Sequence, residues 1–163
     1  MIVAALLALV LRAQDTEDNR LFWERNPWVV GKSAYDCNGG TYVEDHDHWL
    51  LIYAIPSVGG LSVVYEDKRL TTTAGRTYQV HIKLHQGKKI VDANWPLDSA
   101  TASFRRKSMG LVFKVVGFSA LDDLGKSDAI TFIVQGKAVR TLSLNGSDEM
   151  VRNLRLCMSE LPR

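Results

Sequence analysis

Five consecutive polar side chains, Glu44-Asp45-His46-Asp47-His48, hold the densest chemistry in this chain. In an extended segment His46 and His48 point to the same face and can share a divalent cation, with a carboxylate or another imidazole completing the shell. Zinc is the guest that such a donor set would take. The same segment joins two apolar runs, where a charged surface turn is expected without any ligand. The other two imidazoles, His81 and His85, stand four apart. That spacing would align them on a helix, but the alternation around them has period two, so they share one face of a strand at longer separation. A joint site with His46 and His48 requires the two strands to be neighbours.

Other chemistries find less support. There is no Gly-x-Ser-x-Gly elbow to present a nucleophilic serine. Gly39-Gly40 and Gly59-Gly60 lack the lysine and following helix of a phosphate-binding loop, and read as turn glycines. Asp122 and Asp123 fit the solvated surface of a short helix. The basic run Arg105-Arg106-Lys107, together with Trp95, forms a candidate binding surface for anionic lipid, lipopolysaccharide or an acidic partner, although three charges make a modest attraction. Over the whole chain 20 basic residues balance 18 acidic ones, a net charge of +2. No overall field draws a polyanion onto the protein, so nucleic acid is not an expected partner.

The elements that must position these residues are mostly strands. Runs with period-two alternation or β-branched enrichment recur every eight to twelve residues, the spacing of an antiparallel sandwich or barrel. They cover 28–30, 40–43, 49–55, 61–65, 78–84, 89–93, 110–116, 130–134 and 138–144. The stretch Pro56-Ser57-Val58-Gly59-Gly60 predicts a hairpin, as do His85-Gln86-Gly87-Lys88 and Gln135-Gly136-Lys137. Along 78–84, Tyr78, Val80, Ile82 and Leu84 share a buried face and Gln79, His81 and Lys83 a wet one. Two helices interrupt the strands. One spans 117–124, with Ser119 as its N-cap and Gly125 as its left-handed terminator. The other starts at Ser147 as N-cap and runs to about Met158, with Asp148 and Glu149 favoured by the dipole in its first turn. Its stripe of Met150, Val151, Leu154, Cys157 and Met158 packs on the sheet and carries Cys157 inward, towards Cys37.

The first eleven residues are almost unbroken apolar side chains, the length of a secretory h-region, and Arg12-Ala13 follows. A signal peptide over 1–13 is therefore expected. The run is too short for a stable transmembrane anchor, which needs roughly 20 apolar residues. Residues 14–26 read as a flexible lead-in, and 27–163 as a single domain with enough chain to bury a core. In an oxidising compartment the only two cysteines, Cys37 and Cys157, are expected to pair. Two buried thiols are the alternative if the leader is not a leader.

Trp28-Val29-Val30 leading to Cys37, and Leu142-Ser143-Leu144-Asn145-Gly146-Ser147 running into a helix that carries Leu154 and Cys157, frame nearly the whole mature chain. In these features the chain resembles small exported bacterial proteins of the invasion-associated locus B family. The resemblance implies a periplasmic or secreted β-sandwich with no assigned enzymatic activity, linked to the envelope and to host-cell contact. It carries over no functional residue.

The expected molecule is thus an all-β domain: an antiparallel β-sandwich of about eight strands with a C-terminal helix packed on it. Its expected role is non-enzymatic, binding an envelope or protein partner through sheet edges and loops. The alternatives are a metal-binding protein or metal-dependent enzyme built on His46 and His48, and a carrier of a small apolar ligand inside the sandwich.

Overall fold

The computed structural model describes residues 20–41, 47–95, 97–105 and 108–162. The expected signal peptide, 1–13, lies outside them. All described strands pair antiparallel, in an eight-stranded sheet and a four-stranded sheet. The larger sheet is built from β1 (Arg20–Arg25), β2 (Trp28–Lys32), β3 (Cys37–Thr41), β4 (His48–Ile55), β5 (Gly60–Asp67), β6 (Thr77–Tyr78), β9 (Leu97–Arg105) and β10 (Ser108–Val116). Its spatial order is β1-β2-β3-β4-β5-β10-β9-β6. The smaller sheet contains β7 (Val80–Gln86), β8 (Lys89–Asp92), β11 (Ala129–Val134) and β12 (Lys137–Ser143), in the order β12-β11-β7-β8. Helices α1 (Ser119–Gly125) and α2 (Ser147–Ser159) complete the described chain.

The β-rich sandwich and its C-terminal helix agree with the sequence reading, and the differences have local causes. Twelve described strands replace the expected eight or so. Residues 20–25, assigned to the lead-in, form β1, an edge strand with a register shift between Leu21 and Trp23 that breaks its alternation. β9 carries Ala100 and Ala102 on its inner face, opposite Phe113 and Leu111, so small side chains complete large ones and leave no apolar signature. The single run 78–84 is divided. Thr77–Tyr78 belongs to the larger sheet and Val80–Gln86 to the smaller, the chain changing sheets at Gln79 without disturbing its period-two pattern.

One face of the larger sheet is covered in two portions. Over β5 and β10 lies the smaller sheet, where Tyr65 stacks on Phe132 at 4.0 Å between ring centroids and Phe113 meets the same ring at 6.3 Å. Over β1, β2 and β3 lies α2, which buries Met150, Val151, Leu154 and Cys157. Cys157 is bonded to Cys37 of β3, with 6.1 Å between their Cα atoms and both residues fully buried. Gly39 of β3 is therefore not a turn glycine. A β-carbon there would come within 2.6 Å of the Met150 sulfur, so the missing side chain is what admits the helix. Gly40 also lies within β3, where a β-carbon would strike the Leu50 carbonyl.

The hairpin turns form as expected. Gln135 and Gly136 both take positive φ, 51° and 76°, the two-residue turn whose twist suits flanking strands. The helix caps differ from expectation. Phe118 stands at the N-cap of α1, and Gly125 belongs to the helix. Gly146, at φ 83°, is the N-cap of α2, while Ser147 turns its hydroxyl to donate to the Leu124 carbonyl at 2.8 Å and ties the two helices together. Among the described residues no helix is long and apolar enough to cross a membrane.

Candidate functional site

Hydrophobic alternation brings Leu61, Val63, Tyr65 and Asp67 of β5 onto one inward face, so the strand that supplies core residues ends by burying a carboxylate. Asp67 is 0% exposed. Its Oδ2 accepts from the Tyr65 hydroxyl at 2.9 Å and from Arg140 Nε of β12 at 2.6 Å, and its Oδ1 accepts from the Arg69 backbone N–H at 2.8 Å. The two sheets are thus joined by a buried ion pair at one end and by stacked rings next to it. Hydrogen bonds to both carboxylate oxygens offset the desolvation of the charge.

This setting holds the Tyr65 phenol well above its ordinary range, first because burial disfavours the phenolate and then because Asp67 lies beside it. The folded pKa exceeds the unfolded one, so the associated stability is complete below about pH 10 and is lost as pH rises beyond it. Urea midpoints measured between pH 9 and 11 should therefore decline. Tyr65→Phe is expected to remove about 1.4 kcal/mol per pH unit from that slope above pH 10.

The histidines are placed separately. His48 opens β4 in register with Asp67, and His46 lies outside the described residues. His85 Nε2 stands 2.8 Å from the Thr131 hydroxyl on β11, which in turn meets Thr141 of β12 at 2.7 Å. Among the described residues no three or more His, Cys, Asp or Glu side chains are grouped to hold a metal ion.

Trp95 does not contribute to an exposed surface. It is 6% exposed, within the core, and its indole N–H donates to Asp123 Oδ2 at 2.9 Å, which also gives Asp123 a structural task. Arg105 ends β9, opposite Ser108 in the register with β10, and Arg106 and Lys107 lie outside the described residues.

The surface feature that sequence reasoning passed over is β8. It is one of the two outer strands of the smaller sheet, β12 being the other; it is paired on one side with β7, and all four of its side chains are exposed. Ile90 is 60% exposed and Val91 37%, with Lys89 and Asp92 at either end. The strand itself was legible in the alternation. Its position at an edge depends on which strands meet across the sandwich, and that is not written locally. Comparison of the chain with protein-family models, with curated proteins and with solved structures finds no match.

Proposed function

We propose that this protein is an exported, non-enzymatic binding protein of the periplasm or the secreted fraction, which takes an extended segment of an envelope or protein partner along β8. The observation that carries the reading is the outer strand Lys89–Asp92. It has no strand on its outer side among the described residues, and it presents two β-branched apolar side chains to solvent. Such an edge offers a partner main-chain hydrogen bonds for affinity and alternate side chains for selection. Lys89 and Asp92 flank the apolar pair, which limits indiscriminate pairing while leaving room for one partner of matching charge. The buried disulfide supports an oxidising compartment. The resemblance to the invasion-associated locus B family supports the envelope as the place of action.

A photo-crosslinking side chain at position 90, in protein expressed in its own host, tests the reading. The same group at position 156 is the control, since Leu156 is comparably exposed, at 54%, but lies on α2. A discrete adduct from position 90 alone, mapped to an extended peptide, is the expected result, and Ile90→Asp should abolish binding of that partner without altering the melting temperature. Adducts from both positions alike, or from neither, would overturn the proposal.

A further inference from the structure

A second surface, independent of β8, lies where the chain leaving β5 passes the β11–β12 hairpin. There a cleft of about 310 Å³ is lined by Arg69, Leu70 and Thr72 from one side and Val134, Gln135 and Lys137 from the other. That volume is at the lower end of small-molecule sites, roughly 300 to 1,000 Å³, and corresponds to about ten water-sized groups. It suits a ligand of short alkyl or single-ring size.

The lining has one sign of charge. Among the described residues Arg69 and Lys137 are its ionisable lining, and no carboxylate lines it. Asp67, two residues before Arg69, has both oxygens committed to Tyr65, Arg140 and the Arg69 N–H, so its charge is matched within the interior. One buried polar atom of the lining, Thr72 Oγ1, has no hydrogen-bond partner among the described residues. It can donate a hydrogen bond to an acceptor. Leu70 and Val134, both largely buried, supply apolar lining. Donors and positive charge beside an apolar surface select a small amphiphilic anion, and the planar fork of Arg69 matches a carboxylate.

We infer that this cleft is a binding site for a small organic monocarboxylate, with the carboxylate held by Arg69 and Lys137 and its apolar body against Leu70 and Val134. Titration of hexanoate into the isotopically labelled full chain, followed by amide chemical shifts, tests it. Hexanoate is expected to saturate with a Kd in the millimolar range or below, in keeping with its size. The shifts should centre on 69–72 and 134–139. Hexan-1-ol, which keeps the body without the charge, and inorganic phosphate, which keeps charge without the body, should each bind at least tenfold more weakly. The double variant Arg69→Gln/Lys137→Gln should weaken hexanoate about tenfold or more at an unchanged melting temperature. Lys137→Gln alone, which leaves every Asp67 contact in place, should weaken it severalfold. Absence of saturation, equal binding of hexan-1-ol or phosphate, shifts centred elsewhere, or undiminished binding by Lys137→Gln would overturn the inference.

Discussion

Removing the disulfide should lower the melting temperature by about 10–20 °C. Cys37 and Cys157 are 120 residues apart in sequence, so their bond closes almost the whole described chain into one loop. Loop-closure entropy in the unfolded chain then contributes on the order of 4–5 kcal/mol. For a domain of this size each kcal/mol moves the midpoint by about 2–4 °C. The appropriate variant is Cys37→Ala/Cys157→Ala, because both residues are fully buried and a hydroxyl in their place would add a desolvation penalty of its own. The effect is also local, since the bond fastens α2 to β3 where Gly39 makes space for Met150. Calorimetry of the double variant should show the full decrease. A change of less than about 3 °C would mean that packing of α2 against β1, β2 and β3 holds the helix without the covalent link.

Arg140→Met should destabilise the fold by about 3–5 kcal/mol, read as a shift of the urea midpoint at unchanged slope. Arg140 reaches from the smaller sheet to a carboxylate that is wholly buried in the larger one. Without its guanidinium, Asp67 keeps the Tyr65 hydroxyl and the Arg69 N–H, but its charge has no counter-ion in the interior. The double variant Asp67→Leu/Arg140→Met removes both charges, and should recover more than half of the loss. If the single and double variants were equally unstable, Arg140 would be acting through the packing of its stem. The ion pairs around α2 are of another kind. Arg25 with Glu149, Lys32 with Glu160 and Arg155 with Asp122 all have substantial solvent exposure, and water and salt screen them, so they contribute little to stability.

How much of this was legible in the sequence depended on whether a feature was written in neighbouring residues. Val80, Ile82 and Leu84 announce an inward face by alternation, and the Met150, Val151, Leu154 and Cys157 stripe announces a helix that delivers a cysteine to the sheet. β9 escaped notice because Ala100 and Ala102 acquire meaning only opposite Phe113 and Leu111. Gly39 looked like a turn for the same reason, its purpose being set by Met150, more than a hundred residues away. Candidate sites followed the same rule. Trp95, grouped with the basic run 105–107, suggests a surface, whereas its indole N–H is held by Asp123 of α1 and the ring lies in the core. The Asp67–Arg140 pair joins residues 73 positions apart, and the cleft joins 69–72 to 134–139, so no local spacing marks either.

The proposed function requires export, and the structure shows covalent closure of the sandwich. Intact-mass measurement on protein isolated from its own host, denatured in the presence of an alkylating reagent without reductant, tests both together. The expected product is a chain shortened by the N-terminal apolar segment through about Ala13, two hydrogens lighter than the dithiol form and carrying no alkyl group. A chain that retains Met1 and takes up two alkyl groups would contradict both.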